Sequence, residues 1–274
     1  IMLRIDSETA APFSLYGVFD GHGEDGHEVS DFVKTFLPKM LLKDDEFGTC
    51  LGKGGQEAAM KRVLENIFTR LQSFITITSR AQVFDAAKSG TTCTITIHDL
   101  ALDVVYLANV ADSTGVVGAE QFKKWTVDVR TRDHKPNMYH EKKRILESGG
   151  RVEYDGHANH RVYKRNSNFP GLDMSRCFGN LLGHECGCVA TPEVYTCKLT
   201  ATHRVLLLCS DGIWEFISPE EALELVRHYL ESRPSAQEAA DSLAREAWRR
   251  WISVKQGRVV DDITVILVVF DDLV

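Results

Sequence analysis

The chain reads as an α+β fold: sheets built from short β-branched runs, bounded by amphipathic helices. Two patterns carry that reading. Apolar runs rich in Val, Ile and Thr, each closed by Gly, Asp or Asn, predict strands at 13–19, 91–98, 103–110, 114–119, 204–209 and 263–270. Helical spacing then puts Val29, Phe32, Val33, Phe36, Leu37 and Met40 on one face of 27–42, and Ala59, Val63, Ile67 and Leu71 on one face of 56–74. A third helix over 137–148 stops at Gly149 and Gly150, because glycine takes the left-handed conformation that ends a helix. Two later helices open with capping boxes, Ser218-x-x-Glu221 and Ser235-x-x-Glu238, and Pro234 breaks the chain between them. Residues 150–190 have few apolar runs and include the polar stretch HANHRVYKRNSN, the signature of a long functional loop or small flap inside one domain of residues 1–274. Strand order does not follow from one sequence.

The bulk numbers exclude several classes of function. Of 274 residues, 43% are hydrophobic and 26% charged, an ordinary globular balance. No run approaches the roughly 20 apolar residues of a membrane-spanning helix, so no membrane span is expected. A net charge of −7 argues against nucleic acid as a partner, since phosphate backbones need a basic surface. It also leaves the local positive charge for any phosphate substrate to bound metal. Seven scattered cysteines favour reduced thiols in an intracellular compartment, cytoplasmic or nuclear, over a disulfide framework. Cys186 and Cys188 form a lone C-x-C without a partner pair at zinc spacing. The opening residues IMLRIDSE form a strand-like run without a signal-peptide pattern, so N-terminal targeting is not visible.

Carboxylates collect at strand ends. LYGVF stops at Asp20, VVYLANVA at Asp112 and RVLLLCS at Asp211, while Asp261 and Asp262 stand immediately before ITVILVVF. In an antiparallel sheet the end of one strand lies beside the start of its neighbour, so these groups are expected to meet along one sheet edge. Like charges that close repel each other and require a counter-cation. No set of Lys or Arg recurs at those ends, which leaves a divalent ion, and an all-oxygen ligand set selects Mg²⁺ or Mn²⁺ over zinc. Gly21 fits, because a residue without Cβ lets its carbonyl approach an ion closely.

The segments that carry these residues resemble a known family. FDGHG at 19–23, SGTTCTITI at 89–97, LANVADS at 107–113, RDHKP at 132–136, RILESGGRV at 144–152, PGLDMSRCFGN at 170–180, LLCSDGIWEF at 207–216 and DDITVILVV at 261–269 are similar, in order, to the signature segments of the metal-dependent serine/threonine protein phosphatases of type 2C. The resemblance implies a central sandwich of two antiparallel sheets flanked by helices, in α-β-β-α layers. It also implies phosphoprotein substrates, a monomer, and a two-metal centre at one end of the sandwich, with a weak third ion possible. Carried over residue by residue, Asp20 bridges both ions, Gly21 offers its carbonyl to one, and Asp211 and Asp261 bind the other. Asp112 joins Asp211 at the third position. A water shared by two ions about 3.5–4 Å apart attacks phosphorus in line. His22 then donates a proton to the leaving oxygen, as an imidazole near its ordinary pKa of about 6.5 can do.

His134 is similar to a family residue, although Pro136 gives it a loop-structuring explanation. Arg161, Lys164 and Arg165 fall in the flap, where they either meet a phosphopeptide or form a solvated basic loop. Ala111, Thr114, Asn180, Glu215 and Asp262 depart from the family pattern, where Gly, Arg, Asp, Asp and Asn are usual. The phosphate-binding Arg of the family and a carboxylate that organises its second metal lie upstream of IMLRID, so the domain is expected to be N-terminally incomplete. The rival to an enzyme is a catalytically silent relative used as a binding or regulatory module; the departures at Ala111 and Thr114 favour it, and retention of every core ligand favours the enzyme.

Overall fold

The computed structural model describes residues 1–6, 11–232 and 235–270. The first half of the chain forms β1 (Met2–Ile5), β2 (Phe13–Val18), β3 (Gly21–His22), α1 (Gly26–Leu42), α2 (Asp45–Cys50), α3 (Glu57–Arg80), β4 (Gly90–Thr91), β5 (Cys93–Asp99), β6 (Val104–Val110), β7 (Thr114–Gln121) and β8 (Lys124–Arg130). The second half forms α4 (Tyr139–Glu147), β9 (Gly150–Tyr154), β10 (His160–Lys164), β11 (Pro170–Leu172), β12 (Phe178–Gly179), α5 (Leu181–His184), β13 (Glu193–Lys198), β14 (His203–Cys209), α6 (Asp211–Trp214), α7 (Pro219–Ser232), α8 (Ala236–Lys255) and β15 (Val265–Val269).

Two antiparallel sheets make the centre, one in the order β1-β2-β5-β6-β13 and the other β15-β14-β7-β8. Alternation along single strands shows how four layers arise. On β6, Val105 and Leu107 pack between the sheets with Val18, Val117, Leu206, Leu208 and Ile266. Its Tyr106, Ala108 and Val110 face the other way, onto Val29 and Val33 of α1 and Met60, Leu64 and Phe68 of α3. On β14, Leu206 and Leu208 go to the inter-sheet layer while Val205, Leu207 and Cys209 meet Leu223, Val226, Leu243 and Ala247 of α7 and α8. Both faces of these strands are therefore buried, so their sequences run continuously apolar instead of alternating. Each buried Val, Leu or Ile contributes about 1.5–3 kcal/mol. The α-β-β-α sandwich expected from the resemblance is the architecture observed.

The differences from expectation lie at the edges. β8 and β13 were not foreseen: KWTVDVR and EVYTCK are edge strands, half exposed, with polar residues on their open side. The strand-like IMLRID run pairs with β2 at the opposite edge. α3 continues six residues past 74 to Arg80, and Phe36 on α1 is 40% exposed instead of joining the core face. The segment 150–190 is not one loop. β9, β10 and β11 form a three-stranded flap sheet over a small core of Ile145, Val162, Leu172, Cys186 and Cys188; from residue 173 the chain returns to the body, where β12 pairs with β4. Both capping boxes form on the serine side: Ser218 Oγ accepts from the Glu221 N–H (3.2 Å) and Ser235 Oγ from the Glu238 N–H (3.3 Å). Gly149 has the expected positive φ of 82° after α4. Pro234 lies outside the described residues. All seven cysteines are free and buried, and among the described residues no helix is long and apolar enough to cross a membrane.

Candidate metal and catalytic centre

Strand register brings the acidic strand ends together. Val18 at the end of β2 pairs with Thr94, Val110 at the end of β6 with Cys93, and Cys209 at the end of β14 with both Thr114 and Val265. Asp20, Asp112, Asp211 and the Asp261–Asp262 pair therefore gather at one end of the sandwich, drawn from both sheets and not from a single sheet edge.

Backbone contacts fix each group in place. The Asp20 N–H donates to Thr92 Oγ1 (3.0 Å), and its carbonyl accepts from the Thr92 N–H (2.9 Å) and Thr91 Oγ1 (3.1 Å). A Cβ on Gly21 would lie 2.5 Å from the carbonyl oxygen of Gly26, so the close approach of α1 demands glycine here whatever the carbonyl of Gly21 binds. Asp211 opens α6, and Ser210 before it ties that turn to the 261–264 segment: its Oγ donates to the Asp262 carbonyl (2.8 Å) and accepts from the Thr264 N–H (3.0 Å). Trp251 on α8 adds a clamp, Nε1 donating to the Gly212 carbonyl at 2.7 Å. Beside Asp20 a cleft of about 280 Å³ opens, lined by Gly21, His27, Asp262 and Thr264 among others.

The electrostatics are those of an anionic centre short of cations. Burial raises the Asp20 carboxyl to about 7, with Asp261, Asp262 and Asp112 adding to the rise. Burial likewise raises Asp211 to about 8, reinforced by Asp112, Asp261 and Asp20. The two side chains hydrogen-bond each other, as carboxyls do when they share a proton.

One cation does reach the cluster, contrary to the expectation from sequence. Lys135 Nζ pairs with Asp112 Oδ2, and although burial opposes its charge, Asp112, Asp173 and Asp133 raise the ammonium to about 12. Asp112 is thus held by a lysine, while Asp20 and Asp211 hold each other. Asp133 accepts from Thr114 Oγ1 (2.8 Å), and burial raises its carboxyl.

His22 stands beside Asp20 with its Nε2 against the Asn180 amide and a hydrogen bond to the Asp20 main chain. Burial lowers its pKa, so the ring does not keep the ordinary imidazole value expected from sequence. His134 is 1% exposed and pushed down to about 4, by burial first and Arg176 second. Its N–H donates to the Ala111 carbonyl (3.0 Å) and its carbonyl accepts from the Ser175 N–H (2.8 Å), which makes it a loop organiser. In the flap, Arg161 bonds Asp155 (3.0 Å) and the Gly171 carbonyl (2.9 Å), Lys164 forms an exposed pair with Glu185 (3.3 Å), and Arg165 is exposed.

Among the described residues only Asp128, Cys197 and His203 bring three side-chain ligand atoms within 4.8 Å of one another. This trio does not suit a metal. The Thr200 N–H donates to His203 Nδ1 (2.9 Å), which leaves the ring proton on Nε2, where it faces Asp128 Oδ2 (3.0 Å). A metal-bound imidazole needs the reverse, with the second nitrogen donating. Burial also pushes the Cys197 thiol up to about 12. No three of the described carboxylates around Asp20 bring their oxygens that close together.

An all-oxygen cluster at one end of a two-sheet sandwich is an arrangement suited to hard cations. Residues 4–252 match the family described as Protein phosphatase 2C, and the chain belongs to that family. It is 35% identical over 263 residues to the Arabidopsis thaliana protein named Probable protein phosphatase 2C 73, covering 91% of this chain and 69% of that one. Probable protein phosphatase 2C 34 of the same plant is 32% identical over 261 residues, covering 93% and 71%. The fold is similar to the crystal structure of a serine-threonine phosphatase 2C from Toxoplasma gondii, with a TM-score of 0.80 at 23% identity over 94% of this chain and 85% of that one. As a member, the chain is a metal-dependent protein serine/threonine phosphatase that acts on phosphoproteins.

Proposed function

We propose that the chain hydrolyses phosphoserine and phosphothreonine in proteins at a centre that takes two Mg²⁺ or Mn²⁺ ions. Asp20 would face both, the Gly21 carbonyl one, and Asp211 and Asp261 the other, with Asp112 at a weaker third position when Lys135 releases it. The donors are all oxygen, which suits hard cations. When bound, the ions lower the pKa of water toward neutrality and so supply a nucleophile without a phosphoenzyme. The protein's own part is positional: Thr91 and Thr92 hold Asp20, and Ser210 with Trp251 holds Asp211 beside Asp261. His22 serves the leaving serine or threonine oxygen, which departs poorly without a proton.

The observation that carries this reading is the state of Asp20 and Asp211. Two half-buried carboxyls raised to about 7 and about 8, by burial first and by their acidic neighbours second, are costly in a chain that never binds a cation. Reduced buried cysteines support an intracellular setting, cytoplasmic or nuclear. All the named groups lie on one chain, and we take the active form to be a monomer and residues 1–274 to be one catalytic domain. The test is hydrolysis of a phosphothreonine peptide with Mn²⁺, Mg²⁺ or chelator. Phosphate release that needs metal and vanishes in Asp20→Ala supports the enzyme; metal binding without any release would favour a silent, phosphoprotein-binding module.

A further inference from the structure

Among the described residues, two arginines at the catalytic end of the sandwich, Arg130 and Arg132, make no close ion pair or side-chain hydrogen bond, and Arg130 acts on nearby Asp133 only by longer-range attraction. β8 leaves its sheet at the end where the carboxylates gather, with Arg130 paired to Val116 of β7 and Asp133 bonded to Thr114 at the start of that strand. Residues Arg130, Thr131, Arg132 and Asp133 line an open cleft of about 350 Å³. Their backbone is fixed on both sides. The Thr131 N–H donates to the Gly115 carbonyl and its Oγ1 accepts from the Gly115 N–H, both at 2.9 Å. The Arg132 carbonyl accepts from Asn109 Nδ2 (2.9 Å) and its N–H donates to Tyr195 Oη (3.2 Å).

Both arginines are exposed, and among the described residues neither guanidinium has an ion-pair or hydrogen-bond partner. Arg144, Arg161, Arg176 and Arg250 each grip a carboxylate of this chain within 3.0 Å. Asp133 forms the inner wall and keeps one oxygen on Thr114, so an anion in the cleft is held on the outer, guanidinium side.

We propose that Arg130 and Arg132 form a subsite for a second acidic group of the substrate, a carboxylate or phosphate near the phosphoserine or phosphothreonine being hydrolysed. The inference rests on the phosphatase reading above. A phosphoprotein that approaches this chain meets a net charge of −7 and an end crowded with Asp20, Asp112, Asp211, Asp261 and Asp262, which repels it. Lys135 is committed to Asp112. Two guanidinium forks carried on a fixed backbone match carboxylate or phosphate oxygens two at a time, which a point-charge lysine does not. Acidic substrates are thereby steered and favoured.

The test uses three phosphothreonine peptides, with neutral flanks, aspartate flanks or a second phosphate, and two readouts for each: kcat/KM with Mn²⁺, and affinity of the labelled peptide in chelator by fluorescence anisotropy. The wild type is expected to favour at least one acidic peptide over the neutral one by about fivefold, the worth of one or two exposed ion pairs, through KM. Which peptide gains distinguishes carboxylate from phosphate as the group read. In Arg130→Gln/Arg132→Gln the ratio falls to about one, and Arg130→Lys/Arg132→Lys restores part of it. A wild-type ratio of one in both readouts, or a ratio that survives the glutamine pair, overturns the subsite. An affinity ratio that behaves as expected in a chain without turnover supports the subsite and removes the phosphatase reading instead.

Discussion

The side-chain amide of Asn180 meets Nε2 of His22, and Gly90 packs closely against both. A Cβ on Gly90 would lie 2.9 Å from that Nε2 and would clash with the amide. Asn180 is fully buried with a φ of 44°, a left-handed conformation that asparagine tolerates better than most residues, and its Oδ1 has no hydrogen-bond partner. The amide offers Nδ2–H to a neutral ring, and by rotation offers the spare Oδ1 to a protonated one. It can therefore hold the imidazole in either charge state, where the aspartate usual in the family only accepts.

This relationship predicts a dependence on leaving group. Asn180→Gly, which fits the positive φ without strain, is expected to slow hydrolysis of a phosphoserine peptide about tenfold and p-nitrophenyl phosphate less than twofold, since a phenolate departs without a proton. His22→Ala is expected to follow the same pattern with a loss of roughly 10²–10⁴ on the peptide. Steady-state kinetics on both substrates check it. Equal losses on the two substrates would assign Asn180 and His22 a structural role.

The raised carboxyls make the metal-free chain respond to pH in an unusual direction. Asp20 and Asp211 rise from ordinary carboxylate values to about 7 and about 8. A raised folded-state pKa gives stability that is full below the unfolded value near 4 and is lost as pH climbs through 7 to 8. In chelator, these two groups are expected to raise the melting temperature as pH falls from 8 to 5. Mn²⁺ binds the ionised carboxylates and stabilises the folded chain by mass action. The gain in melting temperature from Mn²⁺ is therefore expected to be larger at pH 8 than at pH 6, which calorimetry at the two pH values reads directly.

Ala111 carries local strain. It stands in LANVADS where glycine is usual in the family, is fully buried, and has a φ of 78°. A Cβ in this region costs roughly 1–2 kcal/mol, partly offset because alanine restricts the unfolded chain more than glycine does. Ala111→Gly is expected to stabilise the chain by about 1 kcal/mol, measured by urea unfolding in chelator.

The apolar strands were legible because burial on both faces leaves continuous runs, and their acidic ends were legible as punctuation. β8 and β13 were hidden by their edge position: a strand with one open side alternates Lys, Asp, Arg and Glu among its apolar residues and resembles a loop. Contacts made by side-chain reach were hidden for another reason. Asp112 and Lys135 are 23 residues apart and His22 and Asn180 are 158 apart, and nothing local in either stretch names its partner. The flap basic residues stayed open between two readings because their charge was visible and the intramolecular partners of Arg161 and Lys164 were not.

The central claim is that Asp20, Asp211 and Asp261 hold the ions that turnover requires. It is tested most directly by titrating Mn²⁺ calorimetrically into the wild type and Asp211→Asn, and measuring phosphate release from a phosphothreonine peptide in the same samples. The account predicts two tightly bound ions per chain and release that tracks their binding, with both occupancy and release lost in Asp211→Asn. Release that persists in chelator, or an Asp211→Asn chain that binds two ions and turns over as the wild type does, would contradict it.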